Sequence, residues 1–192
     1  MATQQQRSDS TRQKLLAAFK ASFLERGYEQ TTTQQILTET GLSKGALYHH
    51  FRSKAEIIEA LYDYESRAAI DRVFHLQDPN ASPIARLKTA YLEWTRTVRS
   101  PDIAKILFEI GPAALGAHRA KQIEEQASNK PIKHLLNAAI QAGEIAPPDP
   151  DLLIALLNAL VAEAALYQLR SGQDADATLE AMITAVFAQM KP

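Results

Sequence analysis

The side chains best suited to recognising a partner lie close together, in residues 43–54, SKGALYHHFRSK. On a helix from about 44 to 51, Leu47 and Phe51 share an inward face and can pack with Leu42 and Ile36. At about 100° per residue, the opposite face centres on Gly45 and His49, flanked by Tyr48 and Ala46. Two of these residues are too small to hold backbone away from a partner, and they stand beside hydrogen-bond donors. Such a face can bring a helix main chain against the edge of a groove. Glycine costs a helix interior about 0.5–1 kcal/mol relative to alanine, so a compensating role is expected at Gly45. The competing reading is a loosely formed surface helix.

Catalysis fits the sequence poorly. There is no cysteine, which removes thiolate metal sites, disulfides and cysteine nucleophiles together. No GxSxG, HExxH, Walker loop or dinucleotide fingerprint is present. His49 and His50 are adjacent, about 100° apart on a helix, and cannot chelate one ion together. His75, His118 and His134 have no companions at ligand spacing. Neither a metal nor a cofactor is expected, and the chain does not read as an enzyme.

The elements that must position this face are marked by caps. Thr32 with Gln35 forms a Thr-x-x-Gln capping box, and Ser53 with Glu56 a Ser-x-x-Glu box. Between them Gly41 stops one helix and Ser43 caps the next after a short turn. Helix, tight turn, helix is the layout of a DNA reader.

Gly27-Tyr28, Thr31-Thr32-Thr33, Ile36, Gly41-Leu42-Ser43-x-Gly45, Leu47-Tyr48-x-His50-Phe51 and Ser53-Lys54 resemble the N-terminal domain of TetR-family transcriptional regulators. The resemblance spans about residues 10 to 60, with mild departures at Thr33, Leu37 and Thr40. It implies an all-α fold: a helix-turn-helix domain over 1–55, then a larger helical domain over 56–192 for ligand binding and dimerisation. Resemblance and geometry together put Ser43, Lys44, Gly45 and Ala46 at base edges, where lysine can donate to guanine and alanine can touch a thymine methyl. Tyr48, His49, His50, Thr32, Thr33 and Lys54 are expected on phosphates. A solvated surface lysine is the alternative at 54.

The charge distribution agrees. Residues 1–54 carry eight Lys or Arg against four Asp or Glu, while the remainder carries thirteen against eighteen, so the net −1 conceals a basic segment. A polar start without a signal-peptide core suggests a cytoplasmic protein. So does an apolar run, residues 152–166, shorter than the roughly 17–25 residues of a membrane span.

Along the chain, a Ser10–Gln13 box predicts a first helix to about Arg26, and a long helix follows Ser53 to about His75. The stretch 77–83 reads as a linker, with Ser82 and Pro83 starting a helix to about 99. Ser100-Pro101 starts another, which Gly111-Pro112 should break. Helices are expected over about 113–127 and 131–142, or as one element kinked near Pro131, then over about 150–170 and 174–189.

Residues 152–166 are apolar in thirteen of fifteen positions, more than one core-facing stripe requires. Leu153, Leu156, Leu157 and Leu160, with Leu179, Ile183, Val186 and Phe187, are therefore expected to meet their twins in a homodimer. A single large monomer core is the alternative. Two modules on one dimer imply a palindromic operator on double-stranded DNA. Tyr91, Trp94, Phe108, Glu109, His118 and Tyr167 fall where a bundle can enclose an apolar cavity. By resemblance, a small, mostly apolar effector would bind there, tilt the long fourth helix and release a repressor. A helical module that binds a protein partner through its first 60 residues is the rival, and steep salt dependence would separate the two.

Overall fold

The computed structural model describes residues 4–191. They form α1 (Gln4–Arg26), α2 (Thr33–Thr40), α3 (Lys44–His50), α4 (Lys54–His75), α5 (Pro83–Thr97), α6 (Pro101–Ala104), a π-helical segment (Lys105–Ile110), α7 (Gly111–Leu115), α8 (Ala117–Gln141), α9 (Pro150–Ser171) and α10 (Asp176–Gln189). No strand occurs among the described residues, so the all-α class holds. The chain divides into two compact units. One comprises the residues up to Glu65 together with Lys105–Ile123, the other Ser66–Ala104 with the residues from Glu124 onward. The first is thus larger than the 1–55 segment expected from sequence, because part of α4 and a later stretch complete its core.

In the first unit, α1 packs on α2, on α3 and on the π segment. Leu15, Phe19 and Phe23 of α1, Ile36 of α2, Leu47, Phe51 and Ile57, Ile58, Leu61 and Tyr62 of α4 are all sealed from solvent. Thr31 ties the chain before α2 to α1. Its hydroxyl donates to Gly27 O at 2.9 Å, which leaves Ser22 Oγ to donate to it in turn, also at 2.9 Å. Lys20 pairs with the buried Glu65 at 2.7 Å, and Lys105 Nζ donates to Leu24 O at 2.6 Å.

The second unit is built on α5, α9 and α10, which pack pairwise. Leu87, Tyr91, Leu136, Leu157, Ile183 and Phe187 belong to one apolar core. At its edge lies a polar cluster in which Asp176 accepts from Arg96, Arg99 and Gln168, the last a buried side chain of α9. Helix α9 has 22 residues, long and apolar enough to cross a membrane by length and composition, which the shorter apolar run did not suggest. Inside the unit it packs on α5 and α10 and buries Gln168 in that cluster.

Local caps account for most boundaries. Ser82 and Asp149 accept from the third residue beyond them, each followed by proline at the first helical position. Three boundaries differ from expectation. Helix α1 begins at Gln4, because Gln5 donates to Asp9 and Thr11 to Arg7 O, which carries the helix through Ser10. Gly111-Pro112 does not break its helix. The wider turns over Lys105–Ile110 precede Pro112, whose missing N–H and ring an α-turn accommodates poorly, and the break falls at Gly116 in left-handed φ. Gly111 itself lies against the Tyr62 ring, where a Cβ would sit 2.1 Å from Cδ2. Helix α8 is one element with Pro131 inside it. The last helix starts at Asp176, its first amide donating to Asp174 Oδ1 instead of being capped by residue 175.

Candidate nucleic-acid interface

The two-helix reader forms as its caps require. Thr32 Oγ1 accepts from Gln35 N at 3.3 Å while Gln35 Oε1 accepts from Thr32 N at 3.0 Å, closing the reciprocal box. Gly41 takes φ 67°, and its N–H donates to Leu37 O, ending α2. Ser43 Oγ then accepts from Ala46 N at 3.1 Å, starting α3 two residues after the turn. Ser53 caps α4 through Glu56 N, but the Glu56 carboxylate reaches back to Arg52 N and not to Ser53.

This brings Ser43, Lys44, Gly45, Tyr48 and His49 to one exposed surface, with Ala46 and His50 half-buried at its border. Thr32 is exposed and Thr33 half-buried at the start of α2. Lys44 Nζ stands 5.8 Å from the Tyr48 ring, a cation–π approach that leaves the ammonium in solvent. No acidic residue occurs between Thr40 and Lys54, so nothing on this stretch opposes a polyanion. Burial pushes the His50 imidazole below its ordinary value, with His49 and Arg12 adding to the effect against Asp9. His50 is therefore uncharged at neutral pH, a hydrogen-bonding group and not a cation. At Gly45 a Cβ would meet only Ser43 Oγ, at 3.8 Å. Nothing in the protein requires glycine there.

Lys54 is held within its own unit. Its ammonium donates to Tyr28 O at 2.9 Å, Thr31 O at 3.2 Å and Glu29 O at 3.4 Å, and it lies 4.2 Å from the centre of the Tyr28 ring. A lysine has three N–H donors, and the loop between α1 and α2 takes all three. Lys54 thus fastens that loop and is not a free solvated lysine. A group missed from sequence is Arg12, exposed on α1, with its guanidinium 5.1 Å from the Phe51 ring. Thirty-nine residues separate the two, and no local pattern joins them.

The expected effector residues fall in both units. Tyr91, Trp94 and Tyr167 belong to the second unit, Phe108, Glu109 and His118 to the first. Tyr91 is buried in the second unit's core and Trp94 packs against it. Glu109, His118 and Tyr167 are exposed on their helices and so do not line an interior cavity of their own units. The expected seam residues divide between inward and outward positions. Leu153, Leu157, Leu179, Ile183 and Phe187 are buried within their own unit, because α9 and α10 pack on α5. Leu156 is 60% exposed, and Leu160 and Val186 are half-buried; Leu152, Tyr167 and Met182 join them among the outward apolar side chains.

Family comparison agrees with this architecture. A model described as "Bacterial regulatory proteins, tetR family" matches residues 15–61, and one described as "Tetracyclin repressor-like, C-terminal domain" matches residues 84–190, more than half the chain. The chain belongs to the TetR family. Among curated TetR-like relatives, the HTH-type transcriptional repressor KstR2 of Mycobacterium tuberculosis is 29% identical over 153 residues, 76% of this chain and 74% of that protein. The nucleoid occlusion factor SlmA of Vibrio atlanticus is 27% identical over 159 residues, 79% of this chain and 80% of its own. In fold, a TetR-family regulator from Pectobacterium atrosepticum matches with a TM-score of 0.71 at 24% identity, covering 96% of this chain and 94% of that one. One from Syntrophomonas wolfei reaches 0.74 at 14% identity, with 94% of each chain covered. The protein is a TetR-family transcriptional regulator, and its α2–α3 pair is the helix-turn-helix of the matched N-terminal segment.

Proposed function

We propose that the chain is a homodimeric repressor that reads a palindromic operator through α3 and is released by a small, mostly apolar effector held in the second unit. The observation that carries the DNA part is the open face at Gly45. The residue is helical, exposed and unconstrained by its neighbours, so its small size serves something outside the chain. Ser43, Lys44, Gly45 and Ala46 meet base edges in this reading, and Thr32, Thr33, Tyr48, His49 and His50 hold the phosphate backbone on either side. Helix start α2 adds its free amides.

The dimer forms on the outward side of α9 and α10, with Leu156 central and Leu152, Leu160, Tyr167, Met182 and Val186 around it. These apolar side chains are exposed or half-buried although the inner faces of the same helices are already packed. Two copies meeting there bring two readers to two half-sites. The effector binds the second unit in a form that holds the readers at the wrong separation, and its differential affinity for that form sets how far it shifts the equilibrium. The compartment is the cytoplasm, with no membrane partner.

The test is selection of bound fragments from random duplexes, followed by affinity measurements against ionic strength. Enriched inverted repeats and a steep fall of affinity with salt are the expected result. Enrichment of single half-sites, or binding indifferent to salt, would refute the dimeric DNA reading.

A further inference from the structure

Arg12 is placed by packing yet left without a counter-ion. Its guanidinium lies 5.1 Å from the centre of the Phe51 ring, where α3 ends, and close enough to His50 to help push that imidazole down. Two arginines of the same unit take carboxylates: Arg26 those of Glu25 and Glu39, each at 3.3 Å, and Arg119 that of Glu59. Asp9 stands three positions before Arg12 on α1, the spacing of a helical ion pair, but its carboxylate accepts from Gln5 at 3.1 Å. Among the described residues no acceptor takes the Arg12 donors, and the side chain is exposed. A long surface side chain ordinarily keeps its rotamer freedom. Holding this one over a ring restricts it while leaving its N–H groups open to solvent.

The position matters as much as the charge. Ser43 to Ala46, which meet base edges in the reading above, stand at the start of α3, and Phe51 lies seven positions beyond Lys44. Seven positions are about 10 Å along a helix axis. A major groove is about 8.5 Å deep and about 12 Å wide, with phosphates along its rims. A group carried at Phe51 therefore stands at the rim when the start of the helix meets the floor. Arg12 reaches that point from α1, which packs on α3. A planar guanidinium matches two oxygens of one phosphate, and the uncharged His50 beside it does not compete for the anion as a second cation.

We infer that Arg12 is a DNA-backbone contact: its guanidinium, held over Phe51, grips one phosphate at the rim of the groove that α3 enters. The inference rests on the DNA reading above and adds to it a sequence-blind anchor from outside the α2–α3 pair.

Full-length Arg12→Met keeps a long side chain over Phe51 and removes the charge, whereas Arg12→Lys keeps the charge. Fluorescence anisotropy measures affinity across ionic strengths for the selected duplex and for a scrambled duplex of the same length. Each phosphate contact contributes about 0.9 to the slope of log affinity against log salt, or about eightfold in affinity at 0.1 M salt relative to 1 M. Arg12→Met should make the slope shallower by about 0.9 for each reader bound, on both duplexes, with the preference between them unchanged. Arg12→Lys should return the slope but not the whole affinity, because a point charge does not grip two oxygens. A wild-type slope in Arg12→Met overturns the inference, and a lower unfolding midpoint beside that slope leaves Arg12 only the task of covering Phe51. A lost preference for the selected duplex at unchanged slope also overturns it, since Arg12 would then touch a base or brace α3. If Arg12→Met fails to fold by circular dichroism, Arg12→Gln is read in the same way. A steep wild-type slope with an unaltered slope in the variant sinks this inference alone, whereas wild-type binding indifferent to salt sinks the DNA reading.

Discussion

Replacing Gly45 separates the two reasons a helix can carry glycine. The position is not among the glycines with left-handed φ, and a Cβ there would meet only Ser43 Oγ at 3.8 Å, an ordinary contact. The free protein should therefore gain from Gly45→Ala. The full helix-interior difference is about 0.5–1 kcal/mol, and Gly45 is the second residue of α3, so the lower figure applies. For a chain of this size that raises the unfolding midpoint by about 1–2 °C. Gly45→Gln adds a good helix former with a longer reach and should be at least as stable as the wild type. If α3 lies with its main chain against base pairs, glutamine must hold it off, and operator affinity should drop by about tenfold or more, or about 1.4 kcal/mol. Fluorescence anisotropy on the selected duplex at fixed salt measures the affinity, and differential scanning fluorimetry the stability. Higher stability with weaker binding is the expected pair. Wild-type affinity in Gly45→Gln would refute close approach at this face, and a lower midpoint in Gly45→Ala would refute the claim that nothing inside the protein needs the glycine.

Lys54→Gln should lower stability by about 1–3 kcal/mol through its three lost hydrogen bonds yet leave the slope of log affinity against log salt unchanged; a slope reduced by about 0.9 at unchanged stability would return Lys54 to the phosphate contacts. Lys44→Ala should do the reverse, weakening operator binding with circular dichroism and unfolding midpoint intact. For the seam, Leu156→Asp with Met182→Asp should give folded monomers in sedimentation that no longer bind the inverted repeat, whereas Ile183→Asp, at a core position, should unfold the second unit. Burial alone would raise the Asp176 carboxyl, but hydrogen bonds from Arg96, Gln168 and Arg99 hold it below its ordinary value. Its stabilisation is thus present above the usual aspartate range and is lost as pH falls through the lower folded value, so Asp176→Asn should be less stable than wild type in denaturant melts at pH 7, and the difference should shrink as the pH is taken down through the acid range.

What could be read from sequence was whatever local physics settles within about four residues. The Thr32–Gln35 box, the Gly41 stop and the Ser43 and Ser82 caps all follow from groups meeting backbone next door, and all appear where expected. The inward positions of α3 were legible too, because its outward face is so unlike its inward one. The loop contacts of Lys54 were not legible for the opposite reason, since its acceptors lie 23 to 26 residues back, in a loop whose path depends on Thr31 and Ser22. Gly111 looked like a helix breaker but answers to the Tyr62 ring of another helix, and the π turns before Pro112 let the helix continue past it.

The seam residues are instructive in another way. A helix that is apolar nearly all round announces that it is covered twice but gives no polar face from which to tell one cover from the other. On α9 the first cover is the chain's own α5 and α10, which claim Leu153, Ile154, Leu157 and Val161. What remains outward, at Leu152, Ala155, Leu156 and Ala159, recurs at the same three- and four-residue steps, displaced around the helix. A sequence period cannot distinguish two such interleaved stripes. Burial in the folded unit can, because each side chain spent inside is unavailable to a second subunit. A dimer contact is therefore to be sought among the leucines the core did not use.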